Sequence, residues 1–237
     1  MHLDGASTWD VDEGPATVGP IRRLVTTDVL YRQISSGVPC WISTSDGDRH
    51  HLPIDRWLGG SASTPEDRAA DEALIGLCRG PTVDLGCGPG RFTAALADRG
   101  VLSLGIDVSA TAVEMTVERG GKAIHGDVFE TPSRHGAWAH VLLADGNIGI
   151  GGNPLRMLTR ARQLLAPHGT VVAEVETCTS GVRNERRRWE THHSVTGWFS
   201  WSRVGADAVH ALAGAAGFAV TSSDDVSGRH LVTLSVA

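Results

Sequence analysis

The sequence predicts an α/β fold: an open, mostly parallel sheet with helices on both faces. Three observations predict it. Between residues 64 and 175, short and wholly apolar runs alternate with stretches of helical periodicity, the pattern of strands buried on both faces. The first of these runs, PTVDL, leads into GCGPGRF, which sets glycines where a strand would turn into a helix. The chain then closes on a helix and two strands, FAVTSS and RHLVTLSV, whose polar link SDDVSGR predicts an antiparallel edge.

Each element follows from local signals. Residues 1–60 hold scattered Gly, Pro and Trp and read as an irregular or partly helical extension that caps the site. Thr64 followed by Pro65 and acidic residues marks a helix start, and the periodicity runs to Gly80. The alternation then gives strand PTVDL, helix FTAALADRG, strand VLSLGID, helix SATAVEMTVERG, short strand KAIHGD, strand AHVLLAD, helix PLRMLTRARQLLAP and strand GTVVAEV. With the final pair the sheet has seven strands. Residues 61–237 form the main domain, interrupted at about 176–203 by a polar, aromatic insertion.

The 237 residues are 41% hydrophobic, enough for a buried core, and carry a net charge of −6. That charge argues against nucleic acid as partner. The basic run RNERRRW reads as a solvated face. No apolar run of membrane-spanning length or signal-peptide pattern is present, so a cytoplasmic protein is expected. The four cysteines, Cys40, Cys78, Cys87 and Cys178, form no CxxC pair and are expected to be reduced thiols.

The glycine run raises the functional question. Glycine permits a sharp turn and close approach of another molecule, and amides at a helix start cradle polar groups. In an open parallel sheet, ligands sit at the carboxyl ends of the strands. Asp84 and Gly86, Cys87, Gly88 and Gly90 occupy the first such end; Asp107 with Val108 ends the next strand, and Asp127 with Val128 the third. A carboxylate about twenty residues past the loop is placed to accept from both ribose hydroxyls. A nicotinamide-binding loop competes with this reading, but it wants a glycine where Arg91 stands.

The run VDLGCGPGRF, then LGIDVS, HGDVFE and HVLLADGN, resembles the class I S-adenosylmethionine-dependent methyltransferases over residues 64–175. The resemblance implies a Rossmann-like sheet with Asp84 near the methionine amino end of the cofactor. Gly86, Gly88 and Gly90 would back the cofactor, Asp107 would hold the ribose, and Asp127 with Val128 would meet the adenine. It also implies Cys87, Val108 and Ala144 in the cofactor wall, and acceptor-facing groups after the fourth strand.

Methyl transfer needs alignment and exclusion of water, and a hydroxyl acceptor must also lose a proton. Asp145 and Asn147 in ADGNIGIGGNP are candidates to accept that proton and orient the acceptor. The pairs His50–His51 and His192–His193 offer bases near neutral pH, with one of each pair facing the site. A metal held by His192, His193 and Asp145 is conceivable but not required, and no metal site is assigned.

Seven tryptophans stand against one tyrosine and four phenylalanines. Trp9, Trp41, Trp57, Trp189, Trp198 and Trp201 fall outside the predicted strands. Trp41, Trp57, Trp198 and Trp201, with His51 and Arg203, are expected to wall the acceptor pocket. The expected function is methylation of a hydroxyl on a small or oligomeric polar metabolite, a sugar or polyol-like acceptor, with S-adenosylhomocysteine as product. The alternatives are methylation of nitrogen or carbon, a nicotinamide-dependent oxidoreductase, and a cofactor-binding regulatory protein. A monomer or homodimer is expected.

Overall fold

The computed structural model describes residues 22–59, 63–131 and 135–237. The first 21 residues of the expected cap, Trp9 among them, lie outside that range. The described chain opens with β1 (Arg23–Leu24), α1 (Thr27–Ser35), β2 (Trp41–Thr44), β3 (Arg49–His51) and α2 (Ile54–Leu58). The alternating part follows as α3 (Pro65–Leu77), β4 (Thr82–Leu85), α4 (Arg91–Asp98), β5 (Ser103–Asp107), α5 (Ala110–Glu118) and β6 (Ala123–His125). It continues through β7 (Trp138–Leu143), α6 (Pro154–Leu164) and β8 (Leu165–Val175). Then come β9 (Val182–Glu190), β10 (Ser194–Val195), β11 (Phe199–Val204), α7 (Val209–Ala215), β12 (Phe218–Val226) and β13 (Arg229–Val236).

Seven strands form the main sheet in the order β12-β13-β8-β7-β4-β5-β6. From β8 to β6 all neighbours are parallel. β13 runs antiparallel to both β8 and β12, so the reversed strand lies one place in from the edge. The chain moves outward from β4 to β6, then returns to place β7 on the other side of β4. This reversal opens a crevice at the carboxyl ends of the strands.

Alternation along the strands divides the core between the two faces. Val83, Leu85, Val141 and Leu143 pack with Met157 and Leu158 of α6. On the opposite face, Leu142 and Val172 pack with Leu74 of α3 and with Phe92 and Leu96 of α4. Some helix starts are capped by side chains, and the one at Thr64 is where the sequence predicts it. Thr64 accepts from the Asp67 amide at 3.0 Å, and Asn153 from the Arg156 amide at 2.9 Å.

The early and late segments, read separately from the sequence, join in a second sheet. Its path is β1-β10-β9-β2-β3, with β11 also pairing with β9. The first half of β9 pairs with β11 and the second half with β2. The polar, aromatic stretch expected at about 176–203 thus contributes the strands β9, β10 and β11. Leu30, Ile34, Cys40 and Leu52 form its apolar support. The two sheets meet where Ile150 bridges Trp201. Gly149 makes that joint possible, since a Cβ there would collide with the backbone carbonyl of Ser202.

Candidate active site

One cavity of about 710 Å³ opens at the strand tips of the main sheet and is closed by α1 and the second sheet. Nine of the residues expected at the cofactor line it. Asp84, Gly86, Cys87 and Gly88 form its floor after β4, Asp107 and Val108 follow β5, and Asp127 and Val128 follow β6. Ala144 enters from the end of β7. Gly90 does not line it. With φ of +82°, Gly90 starts α4 from beneath, where a Cβ would meet Thr116 Oγ1 at 2.5 Å.

The loop is held by local bonds. Gly86 has φ of +78°, and a Cβ there would meet Asn147 Nδ2 at 2.8 Å and Ile150 Cδ1 at 2.7 Å. Asp107 accepts from the Gly88 amide through one oxygen and from the Ser109 amide through the other, both at 2.9 Å. Each oxygen keeps a further lone pair for an incoming hydroxyl. Burial raises the Asp107 pKa and those two amides oppose the rise. Asp84 is 1% exposed and accepts from Thr93 Oγ1 at 2.8 Å. Burial, the largest cause, pushes its pKa up to about 7. Asp127 accepts from the Phe129 amide at 2.8 Å. Val108, 66% exposed, offers the cavity an apolar side chain that a flat base can cover.

The tip of β7 holds a network of charges. Asp145 has φ of +51°, a left-handed conformation that aspartate tolerates better than most residues. Its amide donates to Glu174 Oε2 at 2.9 Å. Its carboxylate faces Arg91 at 2.6 Å, Arg229 at 3.6 Å and Arg56 at 3.9 Å. Arg229 also bonds Glu174 and Asp71, and Arg91 bonds Asp71. Burial alone would raise the Asp145 pKa, but the three guanidiniums more than offset it and hold it below the usual carboxylate range. Asp145 is thus a fixed anion rather than the ready proton acceptor expected from sequence. Asn147 also differs from its expected role. Its Nδ2 donates to the carbonyls of Leu85 and Gly86 at 3.0 and 2.9 Å, bracing the glycine loop.

Of the expected acceptor wall, Trp57, Trp198 and Trp201 line the cavity, whereas Trp41, His51 and Arg203 do not. Strand alternation explains the first two. Ile42 stands opposite Trp189 on the cavity side, so its neighbour Trp41 faces away. There Trp41 Nε1 bonds His51 Nε2 at 3.1 Å, and His192 stacks edge-on at 4.9 Å. His192 and His193 are exposed at the β9–β10 turn, away from the cavity lining and from Asp145. Arg203 is drawn aside by Glu176, which its Nε meets at 2.6 Å. No group of three or more His, Cys, Asp or Glu that could hold a metal occurs among the described residues.

Sequence reasoning did not select Tyr31, Arg187 or Trp189 as site residues, all of which line the cavity. Tyr31, the single tyrosine, comes from α1, and its hydroxyl would stand 3.4 Å from a Cβ on Gly88. Burial first, then the Asp107 carboxylate, raises its pKa well above the ordinary range, so it remains a hydrogen-bond donor. α1 is anchored to α5 by Asp28, which accepts from Ser109 Oγ at 2.7 Å.

Residues 82–169 match a family model described as a methyltransferase domain. No curated protein sequence matches the chain. Among solved structures, it is similar to an S-adenosylmethionine-dependent methyltransferase from Bacteroides fragilis in complex with S-adenosyl-L-homocysteine. The identity is 18% and the TM-score 0.72, over 89% of this chain and 93% of that one. It is also similar to the 1,6-didemethyltoxoflavin-N1-methyltransferase of Burkholderia thailandensis, at 18% identity and TM-score 0.57, over 92% and 94%. An amino pentose methyltransferase from Micromonospora echinaspora aligns at 18% identity and TM-score 0.52, over 74% and 92%. The chain carries a methyltransferase domain over the matched residues and has the Rossmann-like class I fold of the S-adenosylmethionine-dependent methyltransferases.

Proposed function

We propose that the protein transfers the methyl group of S-adenosylmethionine to an oxygen of a small polar acceptor and releases S-adenosylhomocysteine. The observation that carries this is the meeting of Asp84, Asp107 and Asp127, from three successive strand tips, on one cavity whose far wall is a separate sheet. The residues fit the cofactor. Asp107 has lone pairs left for two ribose hydroxyls, Val108 and Val128 supply apolar contact for a flat base, and the Tyr31 hydroxyl is a donor above the glycine loop.

When bound, the cofactor supplies an electrophilic methyl on a sulfonium. The protein's part is alignment and exclusion of water, functions suited to a cavity closed by Trp57, Trp189, Trp198 and Trp201. A second reading, transfer to nitrogen, is favoured by the engagement of Asp145 with Arg91. A neutral amine presents its lone pair without first surrendering a proton. The sugar or polyol acceptor expected from sequence keeps Trp57, Trp198 and Trp201 as support, but not His51 or Arg203.

The test is a screen of hydroxyl- and amine-bearing metabolites for release of S-adenosylhomocysteine, followed by location of the new methyl by mass. Release with a hydroxyl acceptor supports the proposal. Release only with amines selects the second reading, and no binding of cofactor or product at millimolar concentration refutes both.

A further inference from the structure

The small sheet turns one face toward the cavity, and its register fixes what that face shows. Ile42 stands opposite Trp189, Phe199 opposite Arg187, and Trp201 opposite Glu185. Residues directly opposite in an antiparallel ladder share a face, as do positions 185, 187 and 189 along β9. Three aromatic rings, one aliphatic chain and Thr44, which stands opposite Arg187, therefore surround a single ion pair, Arg187 with Glu185. Trp57 extends the surface from α2, its ring centroid 5.5 Å from that of Trp189.

Arg187 is the uncommon member of this face. Its guanidinium lies 5.0 Å from the centre of the Trp201 ring. Among the described residues, its Nε donates to Glu185 and no protein partner is found for the two terminal nitrogens. A guanidinium with an open fork beside aromatic rings suits a planar oxyanion, which it can meet with two parallel hydrogen bonds. The rings suit a flat apolar body, gaining from area and from edge or face stacking. A polyol would bring more hydroxyls than this face has polar partners, leaving some buried without one.

We propose that the acceptor is a planar conjugated ring bearing an anionic group, a carboxylate or an acidic hydroxyl. It lies against Trp189, Phe199 and Trp201, with its charge held by Arg187. This rests on the methyltransferase reading of the cavity and specifies its substrate class.

The test is calorimetric titration of the full chain loaded with S-adenosylhomocysteine, using three probes: 1-hydroxy-2-naphthoate, 1-naphthol and glucose. The hydroxynaphthoate is expected to bind at least about tenfold tighter than the naphthol, the size of one charge-assisted hydrogen bond. Glucose is expected not to bind. Arg187→Met should abolish the preference for the anionic ring while changing naphthol affinity less than about twofold, and Arg187→Lys should restore part of it. Equal binding of the two ring probes to the unaltered protein overturns the inference, whether or not the variants fold. Binding of glucose alone, or of no probe once the product is bound, also overturns it. Failure of S-adenosylhomocysteine itself to bind would instead remove the methyltransferase reading.

Discussion

The two walls of the cavity are built differently. The wall proposed for the cofactor is made of backbone and carboxylates at successive strand tips of one sheet, with Asp107 held by the amides of Gly88 and Ser109. The wall proposed for the acceptor is made of large side chains whose direction depends on strands brought together from distant parts of the chain. The buried Ser43–Glu190 contact within that sheet spans 147 positions. A locally built wall can persist while the acceptor changes, because its geometry does not depend on the register of the other.

The strongest way to break the comparison is to disrupt the charge network that holds the tip of β7 against the main sheet. Arg229→Met leaves Glu174 and Asp71 buried without their shared cation and is expected to cost about 3–5 kcal/mol in denaturant unfolding. A loss below about 1 kcal/mol would show that the network does not hold the tip of β7 in place.

The cofactor wall should also show a pH signature. Burial raises Asp84 to about 7, above its unfolded value, so folding takes up a proton between those two values. The stability of the unaltered protein minus that of Asp84→Asn should therefore be greatest in acid. It should fall by on the order of 4 kcal/mol as pH rises from about 4 to about 7, and level off above that. A difference that grows with pH would mean that Asp84 is stabilised as an anion.

Two substitutions sharpen the contrast. Asp107→Ala is expected to weaken S-adenosylhomocysteine by about 1.5–3 kcal/mol, the value of hydrogen bonds to a charged group, as read by calorimetry. Trp189→Ala should leave that affinity within about twofold and raise the acceptor KM about tenfold through lost ring contact. If both substitutions act equally on cofactor affinity, the walls are not separate.

This division also explains how much was legible in the sequence. The alternation of strands and helices, the turn at Gly86 and the acidic strand ends at Asp107 and Asp127 are local signals, and the structure brings them to one crevice. The facing of Trp41, Trp189 and the histidine pairs was not legible. It turns on the pairing of β2 with β9, and a shift of one residue exchanges which side chains face the cavity. The arginines around Asp145 come from positions 56, 91 and 229, a convergence no local pattern announces.

The central claim, that three strand tips hold an adenosyl sulfonium cofactor, is tested most directly by titrating the protein with S-adenosylhomocysteine and with reduced nicotinamide dinucleotide. The account predicts saturable binding of the first, weakened by Asp107→Ala, and none of the second. Binding of the dinucleotide with no response to S-adenosylhomocysteine at millimolar concentration would contradict it.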